Sequence, residues 1–406
     1  YDGNGNITSI KEGGKTVTYT YDGLNRLTRE NNELLGKTVT YYYDEGGNLR
    51  EEREYDYTTG TVSGTPKKYT AAVMDEKWKD KLLKWGSTEM SYDACGNMLK
   101  KGDTTFTWTQ GRKLSVISNG KSIRYYYDHT GARVKKVVDG VTTEYRMAGS
   151  LLISERTDGT TLWYQYDSAA NLVALMIGTE RYNYIRNAQN DIIGLIDSTG
   201  KRVVSYKYDS WGKVVSITGT LAATVGQKNP FRYRGYYFDA ESGMYYLQSR
   251  YYDPEIRRFI SADDVDVLDT DEDFYYKNLY AYCDSNSVGR TDEAGNMWAV
   301  AIPGMAMIAA AFAEALIPVT IAVAVVAVVV VGAVELGEAI HYSRSRSKRL
   351  TGRPELKKQG LRELEKKKGK KDWKKNSGKR PRDQPRPHHP SKRGHRKYSG
   401  FTKATV

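Results

Sequence analysis

The side chains that most often carry enzyme chemistry are scarce before Trp298. His129 is the only histidine in that part of the chain, and it follows Asp128 in a turn-forming sequence. The two cysteines, Cys95 and Cys283, provide neither a disulfide framework nor a CxxC metal motif, and we expect both to be buried thiols. Because Ser-His-Asp and Cys-His arrangements need an imidazole beside the nucleophile, the sequence predicts no such hydrolase, no metal site and no cofactor.

Carboxylates remain as candidate reactive groups. When two aspartates lie close together they do not both ionise, so one stays protonated as a general acid while its partner activates water. Acidic residues are concentrated in the run DDVDVLDTDED at 263–273. This run lacks the glycine and the terminal glutamate that an EF-hand loop places at fixed positions, so its composition does not indicate a calcium site. The alternative role for such carboxylates is structural, in ion pairs with neighbouring arginines.

The elements that must position these groups are short repeats. A Tyr-Asp pair followed by turn-forming residues recurs as YDGNGN, YDGLNR, YDEGGN, YDACGN, YDHTGA, YDSAAN and YDSWGK, starting at Tyr1, Tyr21, Tyr43, Tyr92, Tyr127, Tyr166 and Tyr208. Alternating runs such as KTVTYTY and SIRYYYD lie beside these pairs and have the period and composition of β-strands. The Asp side chain opens a turn, and a following Gly takes positive φ. The pattern therefore predicts antiparallel hairpins with turns at the Tyr-Asp sites.

One such hairpin buries too little apolar surface to be stable alone, so neighbouring hairpins must stack into a continuous β surface. Helical periodicity is almost absent before Trp298, and the exception is the amphipathic stretch MDEKWKDKLLKWG at 74–86. We therefore expect residues 1–297 to be all-β apart from this stretch. The recurring tyrosines are expected to be architectural. The alternative is that an exposed row of tyrosine rings stacks on sugars.

A longer motif carries a resemblance to a known family. The segment NPFRYRGYYFDAESGMYYLQSRYYDPEIRRFISAD begins at Asn229 and is followed by NLYAYC at 278–283 and DEAG at 292–295. Together with the Tyr-Asp repeats, this sequence resembles the Rhs/YD-repeat family, and in particular its Rhs repeat-associated core. The resemblance implies a ribbon of stacked β-hairpins that spirals into a hollow shell, closed at one end by the core. It also implies a variable C-terminal region, often a toxin held inside.

The resemblance and the composition together divide the chain into four expected segments. Residues 1–225 form the repeat wall, 226–297 the core, 298–341 a hydrophobic and helical segment, and 342–406 a disordered basic tail. The chain begins at Tyr1 rather than at Met, so we expect it to be part of a longer polypeptide.

The resemblance also implies self-cleavage, because many members of the family cut their own chain just after a motif of the type Asp-Pro-x-Gly-Leu. The matching stretch is DEAGNM, which contains Asp292, Gly295 and Met297. Glu293 stands where the family has Pro. Because Pro fixes φ and restricts the residue before it, its loss leaves this loop freer than in the family pattern.

Three residues are candidates for the chemistry of that cut. The aspartate carried over from the family is Asp263, with Arg258 before it, and Asp284 is the candidate for the second carboxylate. The family pattern is incomplete here too, because Asp264 replaces Pro and SNS at 285–287 replaces NNP. The alternative is that the carboxylates only form ion pairs with the arginines of the core, Arg250, Arg257 and Arg258.

The composition changes abruptly after Met297. Residues 315–334 carry no charge and are long enough to cross a bilayer as one helix, since Pro and Gly are tolerated in membrane helices. The apolar stretch 298–312 is too short to span alone. The first interpretation is a membrane-spanning helix, with the basic cluster after His341 on the cytoplasmic side. The second is an apolar helix that stays inside the shell until release.

The C-terminal tail is strongly basic. Residues 342–406 contain 24 Lys or Arg and 5 Asp or Glu, a net +19, whereas the whole chain carries +13, so the remainder carries −6. A segment so poor in aliphatic residues is expected to be disordered and to bind anionic lipid or nucleic acid through charge alone. His388, His389 and His395 raise a nuclease alternative, but no metal-binding spacing surrounds them.

These observations leave three functional hypotheses. The first is the C-terminal part of an Rhs-type polymorphic toxin for contact-dependent bacterial competition, secreted or at the cell surface and associated with membrane through 315–334. Its expected partners are its own C-terminal region inside the shell and a cognate immunity protein. The second is a surface protein for adhesion or carbohydrate binding, with 315–334 as a plain anchor. The third is a self-cleaving nuclease toxin.

Overall fold

Alternating polar and apolar residues fold most of the chain into one antiparallel sheet of 21 strands. The computed structural model describes residues 1–263 and 278–296, and the backbone of 299–300. The chain divides into two compact units, Tyr1–Ile308 and Ala309–Val406, and every described residue belongs to the first. Each strand of the large sheet pairs with the strands before and after it in the sequence.

The strands of the large sheet are β1 Ser9–Glu12, β2 Lys15–Tyr21, β3 Leu27–Asn32, β4 Lys37–Tyr43, β5 Leu49–Asp56, β6 Lys68–Met74, β7 Leu82–Trp85, β8 Thr88–Tyr92, β9 Met98–Lys101, β10 Thr104–Thr109, β11 Lys113–Ser118, β12 Ser122–Tyr127, β13 Arg133–Val138, β14 Val141–Ala148, β15 Leu151–Thr157, β16 Thr160–Tyr166, β17 Leu172–Ile177, β18 Glu180–Arg186, β19 Ile192–Ile196, β20 Arg202–Tyr208 and β21 Val214–Thr218. We call this sheet the wall.

The residues after the wall form two smaller sheets. One contains β22 Tyr237–Asp239, β23 Met244–Leu247, β24 Arg250–Asp253 and β25 Arg258–Phe259, and the other pairs β26 Arg290–Thr291 with β27 Ala299–Val300. Short helical turns occur at Ala222–Gly226, Tyr233–Gly235 and Cys283–Ser285. The all-β prediction is therefore confirmed for the described residues. The predicted helix within 298–341 and the basic tail lie outside them.

The expectation of a helix at 74–86 is wrong. This stretch is the end of β6, a turn, and the strand β7. The Asp75 carboxylate accepts the backbone N–H groups of Lys77 and Trp78, at 2.9 and 2.7 Å, and so closes a turn. Met74 then pairs with Leu82 across the hairpin. Of the apolar residues that suggested a helical face, Leu82 and Trp85 are buried in β7 and Trp78 lies in the turn, so tertiary contacts outweigh local spacing here.

The Tyr-Asp turns share one set of hydrogen bonds. At Asp209, the carboxylate Oδ1 accepts the N–H of Lys213 at 2.9 Å, and the backbone N–H of Asp209 donates to the Lys213 carbonyl at 3.0 Å. Gly212, between them, has φ +86° and donates to the Asp209 carbonyl. The carboxylate therefore accepts a backbone hydrogen bond in place of a carbonyl group, and it holds the turn closed. The same three hydrogen bonds occur in six other turns, whose first residues are Asp2, Asp22, Asp44, Asp93, Asp128 and Asp167.

All seven predicted Tyr-Asp turns are thus confirmed, and two further turns of this kind were missed. Asn187 and Asp197 make the same bonds, although neither follows a tyrosine. A smaller correction concerns the thiols. Cys283 is buried as expected, but Cys95 is exposed because it lies in the middle of the turn that begins at Asp93.

Five of the seven Tyr-Asp tyrosines have a polar role as well as a packing role. The Tyr208 hydroxyl donates to the Ile192 carbonyl at 2.7 Å, across to the turn before it. Equivalent bonds, of 2.7–2.8 Å and spanning 13 to 16 residues, are made by Tyr21, Tyr43, Tyr127 and Tyr166. At the Asn187 turn, which has no tyrosine, the Arg186 guanidinium makes the equivalent bond to the Leu172 carbonyl. These contacts support the architectural interpretation of the tyrosines.

The core segment, defined as the described residues from 229 to 296, packs against the wall through four hydrophobic clusters, the smallest of which joins Tyr280 to Trp78 and Tyr92. The first joins Leu27 and Val39 to aromatic residues such as Tyr245 and Tyr252. The second joins β6–β12 to Met244, Tyr251, Ile256 and Ile260, and the third brings Phe231 against β16–β20. The many aromatic rings of the core segment are therefore buried against the wall, where they remove large apolar areas from water.

The charged residues of the core segment also face the wall. Asp239 is fully buried and pairs with Arg133 and with Lys136, the latter at 3.0 Å. Asp253 pairs with Lys101 at 2.7 Å. Arg257 bridges Glu52 and Asp209, at 3.1 and 2.9 Å. Because a buried charge without a partner is costly, these pairs fix where the core segment sits.

Replacing Tyr208 by Phe removes one hydroxyl and leaves the buried Ile192 carbonyl without that donor. We expect Tyr208→Phe to lower the free energy of unfolding by about 0.5–1.5 kcal/mol, the usual range for one buried hydrogen bond. Urea denaturation followed by tyrosine fluorescence measures it. Tyr126→Phe is the matched control, since the Tyr126 side chain is exposed. Equal effects of the two substitutions would contradict the role assigned to the hydroxyl.

Candidate self-cleavage site

Arg250 lies at the centre of the candidate site. It begins β24, directly after the tight turn that joins β23 to β24. Its side chain is buried, and its guanidinium lies over the Phe259 ring, 3.6 Å from the ring centre. The Nη1 group donates to the Leu279 carbonyl at 3.0 Å. The hairpin and the aromatic ring therefore hold a cation in a fixed position within the core segment.

Two carboxylates and one carbonyl surround this cation. The Nη2 atom lies 2.8 Å from Oδ2 of Asp263 and 3.7 Å from Oδ2 of Asp292. The Nε group donates to the Gly295 carbonyl. The structure thus brings together the predicted catalytic aspartate and the predicted cleavage motif, and it does so through an arginine that the sequence analysis considered only as an ion-pair partner.

Asp263 is positioned by its backbone. Its N–H donates to the Leu279 carbonyl at 2.9 Å, and the Ala262 N–H donates to the Gly96 carbonyl at 3.2 Å. The side chain is buried. Backbone hydrogen bonds therefore hold residues 262–263 to the 278–282 stretch and to a turn of the wall.

The loop 292–296 repeats the turn chemistry of the wall. Oδ1 of Asp292 accepts the N–H groups of Gly295 and Asn296, at 2.8 and 3.1 Å, and Gly295 has φ +77°. The sequence DEAGN has the same Asp, Gly and Asn positions as DGNGN in the first repeat. Two bonds differ. The Gly295 N–H donates to the Asp292 side chain rather than to its backbone carbonyl, and the Asp292 N–H donates to the Tyr236 hydroxyl at 2.7 Å rather than to a carbonyl four residues later.

Gly295 is required by space as well as by φ. A Cβ atom at this position would lie 2.7 Å from the Leu247 carbonyl oxygen and 2.7 Å from Oγ of Ser249. The loop is also pinned at its other side, since both N–H and Oγ of Ser249 donate to the Ala294 carbonyl, at 3.2 and 2.6 Å. The β23–β24 turn therefore holds the cleavage motif against Arg250.

The other predicted residues lie elsewhere. Asp284 is partly exposed and pairs with Arg290 at 2.9 Å. Arg258 is buried below the Tyr280 ring and donates to Oδ1 of Asn48 at 3.3 Å. Met297 lies outside the described residues. The structure thus groups Asp263, Asp292 and Gly295 on Arg250, while Asp284 and Arg258 have different surroundings.

Two residues of this site had no clear signal in the sequence. Arg250 is one of several arginines in the core motif, and its spacing from Asp263 and Gly295 does not reveal that they meet. Tyr236 is likewise one of many tyrosines. The DxxGN pattern at 292–296 could have predicted the loop, because the wall turns that begin at Asp2, Asp44 and Asp93 have the same pattern.

Burial controls the ionisation of the groups around the site. It lowers the pKa of the Arg250 guanidinium, while the charges of Asp263 and Asp292 oppose that shift. It also raises the pKa of the Cys283 thiol well above its usual range, so this cysteine stays protonated and is a poor nucleophile. The site can therefore offer carboxylates and a cation, but not a thiolate.

Metal and membrane features can be assessed for part of the chain. Within residues 1–263 and 278–296, no three His, Cys, Asp or Glu side chains are grouped so that they could hold a metal ion. In that same part of the protein, no helix is long and apolar enough to span a bilayer. The acidic run after Asp263 and the apolar segment 315–334 are outside the described residues.

Comparison with known proteins identifies the family. Residues 1–288 match the Teneurin YD-shell family, which is more than half of the chain. The chain belongs to the Teneurin YD-shell family. The resemblance to Rhs/YD-repeat proteins inferred from the Tyr-Asp turns and the core motif is thereby confirmed.

Relatives of this YD-shell chain include a named nuclease and a named toxin. The tRNA nuclease WapA of Bacillus subtilis (strain 168) is 35% identical over 241 residues, which is 56% of this chain and 10% of WapA. The double-stranded DNA deaminase toxin A of Burkholderia cenocepacia (strain H111) is 26% identical over 336 residues, 73% of this chain and 22% of that toxin. The chain thus spans only a tenth to about a fifth of the length of these relatives.

A solved structure has the same fold. The crystal structure of TcdB2-TccC3-TEV superposes with a TM-score of 0.58 at 19% identity, over 73% of this chain and 16% of that one. At this level of identity the comparison shows the YD-shell fold alone.

The space around Gly295 yields a stability prediction. We expect Gly295→Ala to release the loop 292–296 from the β23–β24 turn, because the new Cβ meets backbone and the φ is left-handed. Hydrogen exchange of the Ser249 amide should become faster, and the free energy of unfolding should fall by about 1–3 kcal/mol.

Gly5→Ala provides the control. Gly5 holds the same place in a wall turn, with φ +81°, but a Cβ there meets nothing within 4 Å. It therefore carries the backbone strain without the clash. If Gly5→Ala destabilised the protein as much as Gly295→Ala, the close packing of the loop would not be what requires glycine.

Proposed function

We propose that this chain is the C-terminal part of an Rhs-type polymorphic toxin, secreted or displayed at the cell surface. The observation that carries the proposal is the join at residue 297, where a YD-shell sequence gives way to apolar and then basic sequence of a different composition. The relatives named as toxins support it. Because they are matched over a small part of their length, nuclease or deaminase activity is not transferred to this chain.

In this proposal the shell encloses or presents residues 298–406 until they reach a target cell. The stretch 315–334 supplies membrane activity, and the basic tail adds attraction to anionic lipid or nucleic acid. A cognate immunity protein would protect the producing cell. The proposed partners are thus the shell's own C-terminal region, a membrane and an immunity protein.

Exposed aromatic rings on several strands of the wall favour a second function. Tyr42, Tyr69, Tyr126 and Trp163 are each at least 40% exposed. Tyr41 and Tyr125, their strand neighbours, are buried, so the exposed rings lie on the opposite face of the wall from the core clusters. Exposed rings of this kind suit sugar stacking. The alternative proposal is therefore a surface protein for adhesion or carbohydrate binding.

Growth separates the two functions. Expression of residues 315–406 in bacteria, with and without a secretion signal, should stop growth and depolarise the membrane if this region is membrane-active. The control carries Val325→Lys and Val329→Lys, which place two charges in the apolar stretch and should restore growth. Normal growth with the unsubstituted region, together with glycan binding by the full chain, would favour adhesion.

We further propose that the chain cuts itself within the motif Gly295–Met297. The supporting observation is that Arg250 holds Asp263 beside the motif, with Asp292 on the same guanidinium nitrogen. Asp263 acts as the proton-transferring group. Asp292 shapes the loop and adds negative charge near the cation. Such a cut would free the C-terminal region from the shell.

The proposal is tested by replacing Asp263. We expect Asp263→Asn to slow cutting by a factor of about 10²–10⁴, because an amide cannot exchange the proton. Asp292→Ala should have a smaller effect, through the loop. Glu293→Pro should speed cutting, because it narrows the conformations of the loop. Intact mass spectrometry of the purified full chain measures the rate.

Asp284→Asn is the matched control and should cut at the normal rate, since this carboxylate pairs with Arg290 outside the cluster. A chain that keeps its full mass on long incubation, both unsubstituted and as Glu293→Pro, would mean that the site is purely structural.

A further inference from the structure

One row of side chains crosses five neighbouring strands, β14 to β18, on the outer face of the wall. Its members are opposite one another in the strand register and are, in strand order, Arg146, Ser154, Trp163, Met176 and Arg181. The strand neighbours Tyr145, Tyr164 and Tyr182 are buried. Because successive residues of a strand point to opposite faces, the row lies on the face away from the core clusters. We call it the Trp163 row.

An exposed ring lies at the centre of the Trp163 row, with a cation on each side. The Trp163 side chain is 43% exposed, and Arg146 and Arg181 are exposed as well. Each arginine is two strands away from Trp163, which is about 10 Å at the usual strand spacing. Tryptophan, arginine and methionine are the residues that are enriched at the centres of protein–protein interfaces. The composition of the row therefore fits a surface that binds another protein.

The two arginines of the row have no acidic partner within the wall. Among the ion pairs that residues 1–263 and 278–296 form with one another, none includes Arg146 or Arg181. The Nε group of Arg181 donates to the neutral amide of Asn183 at 3.0 Å. On the inner face, by contrast, Arg133 and Lys136 both pair with a carboxylate. The row thus presents two positive charges that a carboxylate of another molecule can complement.

The wall contains an internal comparison for this arrangement. Arg53 lies over two exposed rings, 4.6 Å from the centre of the Tyr42 ring and 5.6 Å from that of Tyr69. This arginine already pairs with Glu51 on its own strand. The combination of exposed rings and a cation therefore includes its own carboxylate at Arg53, whereas the Trp163 row lacks one. That difference distinguishes the Trp163 row as the surface that requires a partner.

We propose that the Trp163 row is a docking surface for a second protein that presents an acidic segment. An apolar side chain of the partner lies on the Trp163 ring, and carboxylates on its two sides bind Arg146 and Arg181. The guanidinium fork suits this role because it can bind both oxygens of one carboxylate. Met176 is flexible and can adapt to the shape of the apolar group. This interaction goes beyond the toxin and adhesion proposals and depends on neither.

Two other kinds of ligand fit the row less well. A neutral sugar could stack on Trp163, but it would leave both cations without a complement. A nucleic acid would bring a continuous line of phosphates. Glu144 is exposed on the same face of β14 as Arg146, two residues away, and would repel that line. A partner with separate acidic and apolar groups meets neither difficulty.

The first experiment selects ligands from a phage-displayed library of random peptides on the immobilised full chain. Peptides that also bind a Trp163→Ser full chain are removed. This step is needed because the basic segment 342–406 is expected to attract acidic peptides, and that segment is the same in both proteins. We expect the remaining peptides to carry Asp or Glu on both sides of an apolar residue.

A synthetic copy of a selected peptide then measures the contribution of each side chain. We expect Trp163→Ser to weaken binding about 30-fold, as for a central aromatic residue of an interface. Arg146→Ser should weaken it about 10-fold and reduce its dependence on salt. Tyr69→Ser is the matched control and should bind normally, because this exposed ring lies beside an arginine that already has a carboxylate.

A charge exchange tests the ion pair without relying on a loss of binding. Arg146→Glu should bind poorly to the selected peptide, and binding should return when the acidic residue on one side of the peptide is replaced by Lys. Failure to recover any peptide that requires Trp163, peptides without an excess of acidic residues, or equal weakening by Tyr69→Ser would overturn the inference. Binding of a neutral glycan that requires Trp163, in the absence of such peptides, would also overturn it and would favour the adhesion proposal.

Discussion

A side-chain oxygen that accepts the backbone N–H four residues later sets the geometry of this protein. The bond is repeated from Asp2 to Asp209 along the wall. It closes each turn at a fixed length, and the strand pairing shifts by one residue just before it, as between Lys207 and Tyr208. That shift turns the tyrosine ring towards the preceding turn, so its hydroxyl reaches a carbonyl there. Turn, register and stacking therefore follow from one short polar contact.

The core segment depends on that regularity. Its aromatic rings and buried charges meet partners spread over the wall, from Glu52 to Asp209. An ion pair such as Arg133–Asp239, enclosed by tyrosine rings, adds little net stability compared with apolar packing but is costly to break. A shift of the core segment by one residue would break several such pairs at once. The wall thus fixes Arg250 and Asp263 in position although neither belongs to it.

The sequence predicted the repeated features of this fold well. Each Tyr-Asp turn has a local cause, because the Asp side chain and the following residues act within five positions. The missed turn at Asn187 shows that the amide oxygen serves as well as a carboxylate, a substitution that a search for Tyr-Asp overlooks. The stretch 74–86 was taken for a helix because its spacing fits both periods, and its pairing across the hairpin decides in favour of strand.

The site was predicted less completely, for a physical reason. Asp263 and the DEAGN motif were identified by their likeness to a family pattern, but the group that joins them is Arg250, which is brought there by the packing of β24 on Phe259. Nothing local to Arg250 distinguishes it from Arg257, which lies equally deep and binds two carboxylates of the wall. Only the tertiary arrangement separates an arginine that fastens the core segment from one that binds a peptide carbonyl.

The cleavage loop can be understood as a wall turn in a wider hairpin, whose strands β26 and β27 pair at 290–291 and 299–300. In the wall, the N–H of the first turn residue is bound by the returning strand, as at Asp209 and Lys213. In the loop that N–H is bound by the Tyr236 hydroxyl instead, and the strand pairing begins only at Thr291 and Ala299, outside the loop. The same turn that makes the wall rigid thereby presents one peptide group to a cation and a carboxylate. The wall turn and the cleavage loop thus share most of their local structure, and the main difference between them is in the groups that surround them.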